Sequence, residues 1–303
     1  MKVGFVSSIL AEDTFHGVMS VASELKYNCV EMACWPEGGA ERRYAGVSHI
    51  DVGNMDDAAV DYIKRTERDY GVEVSALAYY PNTMDNNLEK RNYYMDHLKR
   101  VIDASAKLDI NLVTTFIGRD QYKTVEENLE EVKNVWPSIL WYAEERGVRI
   151  AIENCPMLFG SDQWPGGQNL MTSPDIWEKI FEILPNENLG LNFDPSHFIW
   201  QGMDYIKPLY EFRDKLFHVH FKDIKIQKER LERVGILAYP LEYMTPKLPG
   251  LGDVQWDKFV AALKDTGYQG AACVEVEDRD YEENRESIIG ALRESKKYLE
   301  QYL

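Results

Sequence analysis

Four polar residues each close an apolar, β-prone run: Glu153 in AIENCP, Asp194 in LNFDPSH, His220 in FHVHFKD and Glu275 in CVEVED. Three carboxylates and one imidazole are the donor set of a hard-to-borderline divalent cation. They come from successive predicted strands, so those strands are expected to be neighbours in one parallel sheet and the four side chains to share one rim. Side chains alternate along a strand, which groups Asn192 with Asp194, His218 with His220 and Lys222, and Cys273 with Glu275 and Glu277. One face can therefore present all four donors. A single strand-end carboxylate is commonly a salt-bridged rim group, but four on consecutive strands are hard to obtain by accident. Two carboxylates across a cation can each move a proton. The cation polarises a carbonyl or stabilises an enediolate oxygen. The chemistry this indicates is proton abstraction next to a carbonyl.

Elements able to position such a rim recur along the whole chain. Strands are predicted at 2–8, 29–35, 72–80, 112–118, 148–154, 189–194, 216–222 and 271–277, rich in Val, Ile, Phe, Tyr and Cys and flanked by Gly, Asn or Pro. Helical periodicity fills the gaps at 14–27, 56–70, 88–108, 124–146, 203–213, 255–266 and 281–301, with a further start at Pro174. Asp13 is the expected N-cap of the first helix, and Gly71, Gly147 and Gly267 are expected stops. Thr172-Ser173-Pro174-Asp175 reads as a cap followed by proline in the first turn. Alternation of this kind builds a parallel sheet covered by helices, and at this length it predicts an α/β fold, a single (β/α)8 barrel domain over 1–303. No G-x-G-x-x-G follows the first strand, which argues against a dinucleotide-binding sheet. One connection is abnormally long. Residues 223–254, with Pro240, Pro246, Pro249, Gly250 and Gly252, read as a functional rim loop: a lid over substrate, or alternatively a surface insertion or partner-binding hairpin. Residues 156–170 form a second long rim loop, whose Gly166-Gly167 pair is a hinge or a simple turn.

Composition narrows the class further. A net charge of −17 repels phosphate backbones, and no Lys/Arg cluster offers a local channel, so nucleic acid is not an expected partner. None of the four cysteines forms a C-x-x-C pair, which argues against a structural zinc site or a disulfide framework. The N-terminal MKVGFVSSIL is too short and polar for a signal peptide, and no apolar run reaches the length of a membrane span. A reduced, cytoplasmic, soluble protein is expected.

The four strings, their order and the PGLGD-x-x-W segment at Pro249–Trp256 resemble the xylose isomerase-like barrel superfamily over nearly the whole chain. Within it the chain looks like the sugar phosphate isomerase/epimerase group, which includes ketose 3-epimerases and inosose enzymes. The resemblance makes Glu153, Asp194, His220 and Glu275 the metal ligands, with Glu153 and Glu275 doubling as the acid/base pair. His197, three residues after Asp194, matches a histidine that hydrogen-bonds substrate oxygens. Mn2+ is the implied metal, with Mg2+, Co2+ or Zn2+ also compatible. The epimerases carry an Arg shortly after the histidine ligand; here the run is Phe221-Lys222-Asp223, so Lys222 is the replacement candidate and Arg233 in the long loop another. The long loop also resembles barrel proteins acting on 3-oxo sugars, including catalytic subunits of C-glycoside deglycosidases, which pair with a small β-sandwich subunit. The same enediolate can reprotonate or expel a β leaving group.

Other rim residues carry weaker signals. Glu31 ends the second strand and is a candidate for a substrate hydroxyl, or else a buried, paired carboxylate. His49 and Asn82 follow strands two and three on the same rim and are candidate substrate contacts. His218 lies one layer deeper than His220 and is a candidate to orient it. Trp35 is a candidate to pack on a sugar face. Two enzyme readings stay open: an isomerase or epimerase of a small keto sugar or cyclitol, and a lyase or deglycosidase of a 3-oxo-glycoside, as a homo-oligomer or as a heteromer with a small β-rich subunit. An abasic-site endonuclease shares the barrel, but it needs more metal ligands and a basic surface than six histidines and this acidity provide. A metal-dead partner protein would not need to retain all four ligands.

Overall fold

The predicted strands are apolar throughout rather than alternating, as strands buried on both faces must be. In the computed structural model, which describes residues 1–36, 44–158, 164 and 166–303, they are buried as expected. They comprise β1 (Lys2–Val6), β2 (Cys29–Ala33), β3 (Glu73–Ala78), β4 (Leu112–Thr115), β5 (Arg149–Glu153), β6 (Leu189–Phe193), β7 (Leu216–Phe221) and β10 (Ala271–Val274). These eight strands close into a parallel barrel in the order β1-β10-β7-β6-β5-β4-β3-β2. The fold is a (β/α)8 barrel. Closure is made by β1 against β10, with Phe5 opposite Val274. Next to it β10 pairs β7, with Cys273 opposite His220. On the far side β5 pairs β6, with Glu153 opposite Asn192.

The helices between the strands are α1 (Phe15–Glu24), α2 (Asp57–Tyr70), α3 (Leu88–Lys107), α4 (Val125–Glu144), α5 (Pro174–Ile183), α6 (Ser196–Ile199), α7 (Lys207–Glu211), α9 (Trp256–Asp265) and α10 (Arg285–Leu299). Their starts follow local chemistry. Thr124 and Glu127 make a reciprocal capping box at α4. Asn87 accepts from two amides at the start of α3. Gly71 closes α2 in the left-handed region at φ 64°. At α1 the expected cap is displaced by one residue. Thr14 accepts from the Gly17 amide, while Asp13 is taken by a two-pronged bond to Arg285 at 2.8 Å on each prong. Ser173 stands at the cap of α5, yet its side chain makes no capping bond. The predicted helix at 203–213 contracts to α7, because Asp204 caps the Ile206 amide and Pro208 sits in the first turn.

The layer between barrel and helices is aromatic. Phe193, fully buried at the end of β6, stacks on Phe259 at 6.0 Å and meets Trp177 edge-on at 5.8 Å. Truncating such a residue costs about 3–5 kcal/mol, and here it would also loosen the strand that presents Asp194.

The long connection after β7 is a small structure of its own. β8 (Asp223–Ile226) and β9 (Met244–Lys247) form an antiparallel hairpin, with α8 (Lys228–Val234) between them. Trp200, Ile224 and Tyr243 form its apolar centre, packed against Trp164 and Leu158 of the loop after β5. The Trp164 indole donates to the Leu237 carbonyl at 2.8 Å, and Lys247 reaches Asp278 at 3.0 Å beyond β10. The connection therefore spans the rim between the loops after β5 and β10. Residues 159–163 and 165 of the 156–170 loop lie outside the described residues.

The Asp223 carboxylate explains the PGLGD-x-x-W segment. It accepts from the amides of Ile224 at 2.9 Å, Gly250 at 3.0 Å, Gly252 at 3.2 Å and Val254 at 3.0 Å, and from the Trp256 indole at 2.8 Å. A Cβ on Gly252 would stand 2.1 Å from Asp223 Oδ1, so the loop can fold round the carboxylate only with glycine there.

Candidate metal centre

The ladder of hydrogen bonds ends at or just before each functional residue. Glu153 and His220 fall within their strands, and Asp194, Lys222 and Glu275 immediately beyond theirs. At these strand ends the side chains converge on one another. Glu153, Asp194, His220 and Glu275 each place one ligand atom within 4.8 Å of all the others. His220 Nδ1 stands 3.5 Å from Glu153 Oε1 and 3.4 Å from Glu275 Oε2. Glu153 Oε1, Asp194 Oδ2, His220 Nδ1 and the neighbouring His197 Nε2 are buried atoms without a hydrogen bond. Buried polar atoms are normally satisfied, so these four, within ion-pair range of neighbouring charges but without a hydrogen bond, mark a place for a ligand. A divalent cation fits this set in donor type and in charge, since three carboxylates surround one obligate cation, Lys222.

The other faces of these groups are fixed. Asp194 Oδ1 accepts from the Ser196 amide at 2.8 Å, leaving Oδ2 inward. Asn154 clamps the Asp194 backbone on both sides, accepting from its amide at 2.7 Å and donating to its carbonyl at 2.9 Å. Asn169 donates to the Glu153 carbonyl at 2.8 Å and to the Cys155 carbonyl at 2.7 Å. His220 is held through its second nitrogen, which meets Glu31 Oε2 at 2.6 Å. A carboxylate on the far nitrogen of a ligating imidazole sets its tautomer and orientation.

Glu31 is thus a fully buried carboxylate paired with His220, its exposure 0%. Tyr80 donates to it at 2.5 Å and Thr114 at 2.7 Å. Burial works against its charge, but the adjoining His220 and His218 outweigh burial and bring its carboxyl down to about 2. His218 is pushed down to about 4 by burial and pairs with Asn192 Oδ1 at 3.1 Å. It is a neutral structural imidazole. For His220, burial is outweighed by the charges of Glu31 and Glu275, which raise it well above the usual imidazole range.

Lys222 lies inside the group. Its ammonium reaches Glu275 Oε2 at 2.7 Å, Asp194 Oδ2 at 3.0 Å and Glu277 Oε2 at 3.3 Å. Burial disfavours the charge of Glu275, but Lys222 wins and holds its carboxyl below the usual range. Glu153, also buried, is brought down to about 2 by the adjoining His197 and His220 imidazoles. His197, on α6, places Nε2 at 3.2 Å from Asp194 Oδ2 and 3.6 Å from Glu153 Oε1.

Four candidates are not brought into the group. His49 spends both ring nitrogens on Ser7 Oγ at 3.0 Å and the Leu10 carbonyl at 3.1 Å, tying two rim loops together. Asn82 donates to the Arg119 carbonyl and accepts the Arg119 amide, each at 2.8 Å, which joins the loops after β3 and β4. Arg233 is exposed on α8 and, among the described residues, bonds to none of the site. Trp35 packs edge-on against Tyr79 at 4.8 Å rather than standing free. The sequence offers Tyr80 as a residue able to line an aromatic pocket but assigns it no role, and gives none to Asn154 or Asn169. Only Asn154, adjacent to Glu153, carried a positional signal.

A family described as "Xylose isomerase-like TIM barrel" matches residues 19–302, and the chain belongs to it. Among curated proteins, YfiH of Bacillus subtilis (strain 168), of uncharacterised function, is 33% identical over 153 residues. That match spans 47% of this chain and 45% of YfiH, so the chain covers under half of that relative's length. An inosose dehydratase of Clostridium perfringens (strain 13 / Type A) is 21% identical over 258 residues, covering 78% of this chain and 80% of the relative. Among solved structures, the IOLI protein, described as binding a zinc atom, superposes with a TM-score of 0.73 at 18% identity over 100% of this chain and 99% of that one. Among the described residues no helix is long and apolar enough to cross a membrane.

Proposed function

We propose that the chain is a divalent-metal-dependent enzyme of small keto sugars or keto cyclitols that removes a proton next to a carbonyl. The observation that carries this reading is the convergence of Glu153, Asp194, His220 and Glu275 within 4.8 Å of one another, the first three each with a buried atom lacking a hydrogen bond. In this reading those four residues hold the cation. Their three oxygens and one nitrogen suit Mn2+ and also accept Mg2+, Co2+ or Zn2+. The bound cation would polarise the substrate carbonyl. Glu153 and Glu275 are the acid/base pair. Both are held ionised by cationic neighbours, so each starts as a base. One takes the proton on carbon, leaving an enediolate; the other, after taking up a proton from solvent, delivers it to the opposite face, and the first then releases its proton to solvent. His197, its Nε2 unsatisfied, donates to a substrate oxygen. Residues 1–303 would act as one barrel domain.

A second reading, elimination, is favoured by Lys222. Its buried ammonium, 2.7 Å from Glu275, can protonate a departing β-hydroxyl after the same deprotonation. The inosose dehydratase likeness supports that outcome.

The test is incubation with Mn2+ in D2O with a panel of ketoses, inososes and 3-oxo-glycosides, read by NMR. Exchange at carbon without bond cleavage supports the isomerase or epimerase. Loss of water or of an aglycone promotes the lyase. No exchange with any member, with metal demonstrably bound, contradicts the proton-transfer reading.

A further inference from the structure

A second set of donors shares one carboxylate with the centre described above. Glu153, Cys155 and His197 each place one ligand atom within 4.8 Å of the other two. Cys155 stands two residues past Glu153 and its thiol is free. Its position is enforced. Asn169 binds its carbonyl at 2.7 Å, and the Met157 amide donates to its sulfur at 3.3 Å. Met157 is held at φ 62°, a left-handed conformation that a non-glycine residue adopts only when its surroundings impose it. His197 is 9% exposed, and its Nε2 is buried without a hydrogen bond. The 3.6 Å between His197 Nε2 and Glu153 Oε1 is the spacing of two atoms on one ion, given metal–ligand bonds of about 2.0–2.2 Å. A thiolate, an imidazole and a carboxylate make a softer set than the oxygen-rich centre beside it, and one typical of zinc.

We propose that Glu153, Cys155 and His197 form a second cation subsite, selective for zinc-like ions and bridged to the first centre through Glu153. The proposal rests on the preceding reading only for the occupant of the first centre. It has a direct consequence for His197, which becomes a ligand whenever the subsite is filled and a hydrogen-bond donor to substrate when it is not. Soft ions would then tune or inhibit turnover without displacing the ion held by Asp194, His220 and Glu275.

Titration of the metal-free full chain with Co2+ tests this. The readouts are bound cobalt per chain by elemental analysis and the near-ultraviolet charge-transfer absorption of a thiolate on cobalt. Two cobalt ions with that absorption are expected in the wild type. Cys155→Ser and Cys155→Ala should each keep one ion and lose the band, with circular dichroism unchanged. Glu275→Gln should weaken the first ion and keep the band. One ion without a thiolate band overturns the subsite and leaves the four-ligand centre standing. A band that survives Cys155→Ala overturns it too, because another thiol is then responsible. No bound cobalt overturns both readings.

Discussion

The two ends of this barrel hold opposite kinds of space. The N-terminal end has a cavity of about 600 Å3, lined by residues that include Lys2, Lys64, Glu67, Glu73, Arg149 and Phe217. Its charges are spent on one another. Lys2 binds Glu73, Lys64 reaches Glu67 at 3.1 Å, and Glu67 also accepts the Val74 amide at 2.8 Å. The Arg149 guanidinium lies over the Phe217 ring at 4.7 Å. Among the described residues, no buried polar atom lining that cavity lacks a partner. At the C-terminal end, by contrast, Glu153 Oε1, Asp194 Oδ2, His197 Nε2 and His220 Nδ1 are buried without a hydrogen bond. Unmet bonding capacity therefore gathers at the end where the barrel architecture leads one to expect an active site.

Substitutions at the two ends should diverge accordingly. Glu153→Gln and Glu275→Gln, nearly isosteric, should each lower carbon–hydrogen exchange by about 10²–10⁴-fold, measured at saturating metal. Losses under tenfold would remove them as the acid/base pair. Asp223→Ala should destabilise the fold by about 3 kcal/mol in denaturant titration, since five donors lose one buried acceptor; an unchanged midpoint would show that the PGLGD turn does not depend on it. Glu31→Gln should weaken metal affinity by about 10–100-fold through the loosened His220 imidazole. Calorimetry that finds wild-type affinity would make Glu31 merely a filler of the barrel floor. Metal affinity should also climb with pH. His220 is raised above the usual range, so below its pKa a cation must displace a proton, and each unit of pH gained strengthens binding by up to about tenfold until His220 is neutral. Titration in buffers of different ionisation enthalpy should detect the released proton. At the other end, Arg149→Ala should change turnover less than about twofold.

Much of this centre was legible because it depends on short-range pattern. Apolar runs ending in Glu, Asp or His located both the strands and the rim, and the order of the strings implied adjacency. What stayed hidden depends on closure. Glu31 and His220 are 189 residues apart and meet only because the barrel brings β2 across from β7. Nothing local to either residue says that the histidine, rather than a substrate hydroxyl, takes the carboxylate. His49 and Asn82 were read correctly as rim residues, but rim position does not reveal that a ring nitrogen or an amide is already committed to a neighbouring loop. The 223–254 connection showed its glycines and prolines without showing the Asp223 carboxylate that gathers them. For α1, Asp13 and Thr14 both make good caps, and the choice was made by Arg285, at the other end of the chain.

The most direct test of the account is anomalous diffraction from crystals grown with Mn2+. It predicts the strongest manganese peak bonded to Glu153, Asp194, His220 and Glu275. A chain whose manganese sits in the N-terminal cavity, or bonds to none of those four residues, would contradict it.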